Sequence, residues 1–188
     1  MIRPAGERDT GAIADIYNEG IATRLATFET EPRTAADVES WLAAGERLPT
    51  LVVEEDNAVL GWARILAYSD RPVYAGVGEV SVYVTERARG RGLGRGLLEA
   101  LQTRAREEGY WKLVGKLFTA NEASAGMVRS CGWREVGMHH RHARLDGEWR
   151  DVLLIERLLG SARLPVPPDA GAPAASPPTP PPPPTRPA

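Results

Sequence analysis

The segment from Val77 to Gly109 constrains the fold most, because a strand pattern passes through a glycine-rich turn directly into a helix pattern. Residues 77–85 read VGEVSVYVT and are rich in the β-branched side chains that favour strands. Glycines at 90, 92, 94 and 96 then alternate with arginines, and apolar residues follow at helical spacing: Leu93, Leu97, Leu98, Leu101 and Ala105. Backbone N–H groups at such a junction converge at the positive end of a helix dipole. The segment therefore predicts an α/β fold with a phosphate site.

Two better-known glycine motifs do not fit this turn. A dinucleotide-binding fingerprint needs a glycine five residues after its first glycine, but Arg95 follows Gly90 at that distance and Leu97 follows Gly92. A P-loop needs Gly-Lys-Ser/Thr, which does not follow the turn. A basic turn without a ligand stays open as an alternative, although four glycines weaken a helix start unless something binds to them.

The rest of residues 1–160 predicts strand, two helices, three strands, helix, strand, helix and two strands. The first strand is IRPA, and a helix follows from about Asp9 to Arg24. Thr34 and Asp37 predict a capping box that opens the second helix. Hairpins are predicted in residues 50–67 and around Asp146-Gly147, the latter a strong tight-turn signal. KLVGKLF and NEASAGMVRSCG predict the strand and the helix between the two hairpins.

Composition changes near Gly160. Residues 161–188 contain most of the chain's 16 prolines, including PPTPPPPP, and have few apolar side chains to bury. Such a segment favours extended polyproline II and cannot offset its ordering entropy by burial. We therefore expect one domain in residues 1–160 and a disordered tail in 161–188, with docking of the proline run on an aromatic groove as the alternative.

Charge and cysteine content narrow the class of partner. The formal net charge is -2 and the pI about 6.0, so the summed field predicts neither nucleic acid nor an acidic membrane as partner. Cys131 is the only cysteine, which excludes an internal disulfide. The first residues lack the apolar core of a signal peptide, and no apolar run approaches the length of a membrane span. The sequence predicts a cytoplasmic protein.

The turn resembles a known family signature. Residues 89–94, Arg-Gly-Arg-Gly-Leu-Gly, fit the R-x-x-G-x-G/A signature of the GNAT superfamily of acyl-CoA-dependent N-acetyltransferases. The resemblance implies the GNAT fold, a mixed, mostly antiparallel sheet of six to seven strands with about four helices and a splayed central strand pair. It also implies acetyl-CoA as co-substrate and no metal. The pyrophosphate would contact Arg89, Gly90, Arg91, Gly92, Leu93, Gly94 and Arg95, and the pantetheine arm would lie along Val82, Tyr83 and Val84.

Two further roles follow from this resemblance. The backbone N–H of Val82 would polarise the thioester carbonyl, in the manner of an oxyanion hole. Asn121 and Ser124 would contact the cofactor, although Asn121 also fits the cap of the following helix.

Further patterns narrow the substrate. The segments FETEP, YSDRPVYAGVGEVSVYV, TANEAS and RLDGEWRDV resemble the phosphinothricin and arsinothricin N-acetyltransferase branch of that superfamily. The branch acetylates the α-amine of small amino acids that carry a phosphinate, arsonate-like or sulfoximine group. The resemblance implies direct attack of the amine in a ternary complex, and family analogy implies a homodimer.

Four residues receive roles in acceptor chemistry through the resemblance. Glu79 lies at the general-base position, where a carboxylate receives the ammonium proton directly or through water. Strand alternation puts it with Ser81 and Tyr83 on one face, which favours a cleft over the alternative of a solvated strand residue. Arg71 would grip an anionic acceptor with its guanidinium fork, unless it is a plain surface arginine. Phe28 and Tyr74 would supply apolar walls, unless they belong to the core.

Other reactive residues receive plainer interpretations. By alignment Val128 occupies the position where the branch carries a protic residue that reprotonates the CoA thiolate, so water or Tyr83 would substitute, or the thiolate would leave unassisted. Cys131 fits a small core residue better than an acyl carrier. In the HHRH run alternation puts only His140 and His142 on one face, too few ligands for a metal site.

Two other functions remain open from the sequence. The same fold could acetylate a protein N-terminus or a polyamine. The unusual Val128 and the proline-rich tail also fit an acyl-CoA-binding sensor with weak or no catalysis.

Overall fold

The elements follow the predicted order in a computed structural model that describes residues 1–43, 45 and 48–160. The segment 161–188, for which we predicted disorder, lies outside the described residues. The strands are β1 (Ile2–Pro4), β2 (Thr50–Glu55), β3 (Ala58–Ala67), β4 (Val77–Val84), β5 (Lys112–Phe118), β6 (Arg134–Leu145) and β7 (Glu148–Leu158). The α-helices are α1 (Thr10–Ala22), α2 (Ala35–Leu42), α3 (Leu93–Glu107) and α4 (Glu122–Ser130). Short 3-10 helices cover Glu7–Asp9, Pro72–Tyr74 and Glu86–Ala88.

All seven strands form one sheet, in the order β1-β2-β3-β4-β5-β7-β6. Neighbouring strands are antiparallel except β4 and β5, which are parallel. The predicted mixed, mostly antiparallel sheet with four helices is confirmed.

Local signals in the sequence account for several element boundaries. Asp56 and Asn57 both have positive φ, 49° and 63°, as the turn between β2 and β3 requires. The Thr34 side chain accepts a hydrogen bond from Asp37 N at 3.2 Å while the Asp37 carboxylate accepts from Thr34 N at 2.7 Å, which confirms the capping box of α2. Each hydrogen bond satisfies an amide that the helix start would leave without a partner.

Two hydrophobic layers cover the two faces of the sheet. One packs under α3 around Leu97, Leu98 and Leu101, and the other packs under α1 and α2 around Trp62. Strand β4 contributes to both, because Val80, Val82 and Val84 contact the first layer and Tyr83 the second. This alternation puts Glu79 and Ser81 on the α1–α2 face, together with Tyr83. None of the helices in the described ranges combines the length and apolarity of a membrane span.

Candidate active site

The parallel strands β4 and β5 are hydrogen-bonded over a short stretch and then separate. Their register pairs Val77–Glu79 with Lys112–Val114, whereas β4 continues to Val84 and β5 continues to Phe118 beside β7. From Val80 onward, the edge of β4 that faces β5 has no strand partner in the described part of the chain. Backbone groups along that edge are therefore available to an extended ligand.

A cleft of about 660 Å³ opens beside the separated end of β4. Most of the residues predicted to hold the cofactor line it: Val82, Tyr83, Val84, Arg89, Gly90, Gly92, Leu93, Gly94, Arg95, Asn121 and Ser124. Its far wall comes from the segment after α1 and from α4, through residues such as Leu25 and Met127. The fold thus brings residues from distant parts of the sequence to one concave surface.

The glycine-rich turn has the geometry of an anion site. Gly90 and Gly92 have φ of 77° and 79°, in the left-handed region that favours glycine. Gly92 is the N-cap of α3, and the N–H groups of Leu93, Gly94 and Arg95 donate to no acceptor within the described residues. These amides and the helix dipole point at the same space. A diphosphate fits this donor set, because backbone N–H groups and a helix N-terminus both favour anionic oxygens.

The three arginines of the turn are held differently. Arg89 Nε donates to the carbonyl of Val84 at 3.3 Å, and Arg95 Nε donates to Glu99 at 2.9 Å. Both residues line the cleft. Arg91 does not line it, and its guanidinium pairs with Glu55 at 2.5 Å. Its predicted phosphate contact would require this exposed ion pair to open.

Tyr83 forms the floor of the cleft near α1. Its ring stacks on Trp62 with 4.8 Å between centroids, and its hydroxyl donates to the carbonyl of Ala26 at 3.2 Å. Gly20 makes room for it, since a Cβ there would come within 2.8 Å of the ring. Burial raises the pKa of the Tyr83 phenol, so the hydroxyl stays protonated.

Residues of α4 close the opposite side. Asn121 caps α4, because its side chain accepts from Ser124 N at 3.1 Å, and it also donates to the carbonyl of Leu25 at 3.1 Å. It thereby ties α4 to the segment after α1. Val128, assigned by alignment to the position of the thiolate acid, is 4% exposed and packs in the core under α3, whereas its neighbour Met127 lines the cleft.

Glu79, the predicted general base, is the last β4 residue paired with β5. Both of its carboxylate oxygens contact Lys116 Nζ, at 2.9 and 3.1 Å. Lys116 lies on β5 beyond the paired stretch, so the ion pair bridges the two strands where they separate. The side chains remain 29% and 50% exposed, which leaves the carboxylate within reach of solvent and solutes.

The predicted acceptor residues lie in two groups outside the cleft lining. The Phe28 ring packs edge-on against the ring of Phe118, with 4.5 Å between the ring centroids, on the β5 side of the separated strands. Arg71 and Tyr74 lie in the segment between β3 and β4, where the guanidinium sits 5.7 Å from the Tyr74 ring. Arg71 makes no ion pair with any described residue.

The HHRH run departs from the expected alternation. A β-bulge lies between His139 and Ala143, and Arg141 has φ of 49°. His139 and His142 are therefore neighbours, with 3.1 Å between their Nδ1 atoms, and His140 contacts Asp151 instead. The expectation that His140 and His142 share a face was wrong, because the extra residue of a bulge shifts the alternation. Within the described ranges no group of three or more His, Cys, Asp or Glu is arranged to hold a metal ion.

Sequence reasoning gave no role at the site to three side chains that lie near it. The sequence could have indicated Lys116, because it places a charge inside the apolar strand KLVGKLF. Arg64 interrupts the apolar run LGWARILA, which is a stronger indication, and in the structure its side chain is only 8% exposed. His142 lies beside Phe28, with 6.4 Å between ring centroids.

Comparison with known proteins gives a consistent result. Residues 13–133 match the model of the acetyltransferase (GNAT) family. An L-methionine sulfoximine/L-methionine sulfone acetyltransferase of Pseudomonas paraeruginosa is 34% identical over 168 residues, which cover 86% of this chain and 96% of that protein.

Solved structures share the fold over nearly their whole length. The crystal structure of a ribosomal-protein-alanine N-acetyltransferase from Brucella melitensis superposes with a TM-score of 0.81 at 32% identity, over 85% of this chain and 99% of that one. A GNAT superfamily phosphinothricin acetyltransferase from Sinorhizobium meliloti, in complex with acetyl-CoA, also reaches 0.81, at 28% identity over 91% and 95% of the two chains.

Proposed function

The chain belongs to the acetyltransferase (GNAT) family, and on that premise we propose that it transfers the acetyl group of acetyl-CoA to the α-amine of a small anionic amino acid. Family membership makes it an acetyl-CoA-dependent acyltransferase. The acceptors we propose are of the phosphinothricin, arsinothricin or methionine sulfoximine type. The observation that carries the proposal is that the free amides of the Gly90–Arg95 turn and the carboxylate of Glu79 lie at the two ends of the open edge of β4.

Acetyl-CoA, when bound, supplies a thioester whose acyl carbon is open to attack by an amine. We assign its diphosphate to the amides of Leu93, Gly94 and Arg95 and its pantetheine arm to the open edge of β4. The N–H of Val82 would hydrogen-bond the thioester carbonyl and stabilise the negative charge that develops there. Arg89 and Arg95 would add charge at the cleft mouth.

Glu79 is the proposed base. An α-ammonium group must lose a proton before it can attack, and the Glu79 carboxylate would receive that proton directly or through one water. Lys116 occupies the carboxylate now, but ion pairs this exposed are worth only about 0–1 kcal/mol. The ammonium of an acceptor can therefore replace Lys116 at little cost.

The leaving thiolate needs no dedicated acid in this scheme. A thiol pKa near ~8.5 makes the thiolate a fair leaving group. Tyr83 keeps its proton because burial raises its pKa, and that hydroxyl already donates to Ala26. We therefore propose direct attack in a ternary complex, with the thiolate protonated by water.

Arg71, Tyr74 and Phe28 are proposed as acceptor contacts. The guanidinium of Arg71 has no acidic partner in the described part of the chain, so its fork is free to bind a phosphinate or carboxylate bidentately. Phe28 and Tyr74 would cover the apolar part of the acceptor. Arg71→Ala should weaken anionic acceptors about 10- to 100-fold, as expected for a hydrogen bond to a charged group.

An acceptor screen tests the proposal. Thiol release would be measured with phosphinothricin, arsinothricin, methionine sulfoximine and methionine sulfone, against a peptide with N-terminal alanine and a polyamine. Turnover of the amino acids supports the proposal, and turnover of the peptide or polyamine alone would overturn it. Tight calorimetric binding of CoA without any turnover would instead identify an acyl-CoA sensor.

A protein N-terminus is the second candidate acceptor, because the solved structure from Brucella melitensis bears the name of such an enzyme. Arg71→Ala separates the two candidates. An anionic amino acid would lose affinity sharply in this variant, whereas a peptide amine or a polyamine would not.

We also propose a homodimer and a cytoplasmic location. The dimer draws support from family analogy and from strand β6, at the sheet edge, where Val136 and Met138 are 50% and 46% exposed. Light scattering at several protein concentrations would measure the oligomeric state.

A further inference from the structure

Arg64, in the middle of β3, differs from the other buried charges of the described chain. Three charged side chains are buried there, namely Asp9, Arg64 and Glu156. Asp9 pairs with Arg3, and Glu156 pairs with Lys112 and Arg134. Arg64 is 8% exposed, has no ion-pair partner in the described residues, and its Nε is enclosed without a hydrogen-bond partner. A buried cation without a counter-ion is strongly unfavourable, so its retention needs a reason.

Packing does not compensate this charge. The guanidinium lies 4.7 Å from the centroid of the Trp41 ring, and a cation–π contact of this kind recovers only part of the desolvation cost. Burial lowers the pKa of Arg64, which reflects the same unfavourable environment. Water could satisfy the N–H groups, but it could not supply the missing negative charge.

Two further donors beside Arg64 lack partners. The Oγ1 of Thr50 and the Nε1 of Trp62 are both buried without a hydrogen bond in the described chain. Thr50 is the register partner of Arg64 on β2, and Trp62 precedes Arg64 by two residues, so all three lie on the α1–α2 face of the sheet. The shared chemistry is hydrogen-bond donation next to a positive charge, which suits a carboxylate.

The position of Arg64 relates it to the reaction. Its register partner on β4 is Ser81, and Leu66, the next β3 residue on the same face, is the partner of Glu79. Glu79 is thus one diagonal step from Arg64, roughly 7–8 Å between backbones, a span that a long arginine side chain covers. In an α-amino acid the amine and the carboxylate share one carbon atom. An amine at Glu79 therefore brings the carboxylate toward Arg64.

We propose that Arg64, with Thr50 and Trp62, binds the α-carboxylate of the acceptor. The identity of this ligand rests on the proposed function. Arg71, in the β3–β4 segment, would then serve the polar group of the acceptor side chain, a phosphinate, arsonate-like, sulfoximine or sulfone oxygen. An acceptor recognised through its α-carboxylate would be a free amino acid, because a peptide has no carboxylate next to its terminal amine.

The test compares L-methionine sulfone with its α-carboxamide, which keeps the amine and side chain and removes the carboxylate charge. Full-length wild type, Arg64→Met, Arg64→Lys and the control Arg106→Met, an exposed arginine of α3, would be assayed with both acceptors. We expect Arg64→Met to raise KM for the acid about 10- to 100-fold and to leave KM for the amide and for acetyl-CoA within about twofold. The KM of Arg64→Lys for the acid should lie between the values of wild type and Arg64→Met, because lysine keeps the positive charge but lacks the guanidinium fork.

Thermal unfolding without ligand gives a second readout. Arg64→Met should have a higher Tm than wild type, because an uncompensated buried charge is replaced by an apolar side chain of similar length. A merely structural arginine would lower Tm when replaced. The acid should raise the Tm of wild type and of Arg106→Met, but not that of Arg64→Met.

Several outcomes would overturn the proposal. An equal rise in KM for acid and amide in Arg64→Met, or no change in either, would do so. Should wild type acetylate neither compound, the acceptor screen decides the proposed function separately, and the Tm shifts decide whether Arg64 binds the carboxylate. If the acid then raised the Tm of wild type and of Arg64→Met equally, or raised neither, the proposed carboxylate site at Arg64 would be overturned. If Arg64→Met does not fold, the same comparisons apply to Arg64→Lys.

Discussion

Single side chains determine what the open edge of β4 can do. Glu79 carries the only β4 side-chain carboxylate on the α1–α2 face, and it stands where the pairing with β5 stops. One residue earlier, the hydrogen-bonded neighbour strand would restrict access, and farther on, the cofactor would occupy the edge. The position therefore suits proton transfer between an acceptor in solvent and an acyl group on the strand.

Glu79→Gln tests this role. Glutamine keeps the size and hydrogen bonds of the side chain but does not take up a proton, so kcat should fall about 10²- to 10⁴-fold with little change in KM for acetyl-CoA. The loss should be greatest at low pH, where the acceptor amine is mostly ammonium and needs a base. Steady-state rates from about pH 6 to 9 would check this. Glu107→Gln, an exposed change on α3, is the control, and parallel pH profiles for wild type and Glu79→Gln would contradict the assignment.

The sequence predicted site residues unevenly at this scale. The glycines of the turn could be predicted from the sequence, because their spacing has a local cause: the positive φ and the close approach of backbone that a phosphate turn requires. The roles of Arg64 and Lys116 could not be predicted, because the partner and the burial of a strand side chain depend on which strands lie beside it. A charge within an apolar strand is the signal that would have singled out both.

At the scale of elements, the proposed phosphate site lies at the junction of β4 and α3. Gly92→Ala should leave the fold intact but cost about 1 kcal/mol, since alanine is strained at φ of 79°. Relaxation of the turn would rotate the amides of Leu93 and Gly94, so KM for acetyl-CoA should rise while KM for the acceptor stays constant. Initial rates at varied acetyl-CoA, together with Tm, measure both effects.

Gly126→Ala is a matched control for that substitution. Gly126 lies in α4, and a Cβ there would meet nothing within 4 Å. This variant should be neutral or slightly stabilising, because alanine favours a helix over glycine. A rise in KM for acetyl-CoA of equal size in both variants would argue against a phosphate site at Gly92.

A second element-scale contact holds the start of α1 to the sheet. Arg3 of β1 binds both oxygens of Asp9, at 2.7 and 2.8 Å, and its Nε donates to Glu54 of β2 at 2.6 Å. These hydrogen bonds from Arg3 lower the pKa of Asp9. Because the folded pKa lies below the unfolded value, this stability is present above the unfolded pKa of ~3.9 and is lost as pH falls through the folded pKa.

Asp9→Asn should therefore cost about 1–3 kcal/mol of unfolding free energy at pH 7, because it leaves Arg3 with one carboxylate fewer. The difference from wild type should shrink as the pH falls below the unfolded pKa of ~3.9 and vanish below the lowered folded pKa, where wild type also loses its charge. Urea unfolding at several pH values would show this convergence. Asp15→Asn, on the exposed side of α1, is the control, and a difference that did not vary with pH would contradict the ionic origin.

Most elements followed from local pattern, and the irregular ones did not. The two hairpins, the capping box and the strand KLVGKLF were confirmed because turn chemistry and periodicity specify them locally. The short 3-10 helix at Pro72–Tyr74 and the bulge before Ala143 were missed. The bulge depends on Asp151 across the hairpin, which accepts a hydrogen bond from Arg141 N at 2.8 Å. Such cross-strand compensation has no periodic signature.

At the scale of the whole molecule, the two proposed substrate sites meet at the open edge of β4. The cleft lies at the separated end of β4 beside the turn and α4, and its floor, Tyr83, belongs to the α1–α2 face of the sheet together with Glu79 and Arg64. The proposed reaction then occurs where the strand pair opens, because only there does the cofactor edge meet the acceptor face. Neither the cofactor edge nor the acceptor face is formed by a single segment of the sequence.

The whole-molecule prediction concerns the boundary near Gly160. Leu159 is 1% exposed and its N–H donates to the carbonyl of Trp111 at 2.8 Å, so it belongs to the core. Residues 161–188 offer little apolar surface to bury. A chain ending at Gly160 should therefore keep its Tm within about 2 °C of the full chain and retain kcat and both KM values.

Leu159→Ala in the full chain calibrates that comparison. Removal of this buried side chain should cost about 2–5 kcal/mol, because a cavity remains in the core. Thermal unfolding and acetylation rates of the three proteins would be measured side by side. If the shortened chain lost as much stability as Leu159→Ala, the proline-rich segment would have to pack on the domain, because a solvated tail contributes no buried surface whose removal could lower Tm.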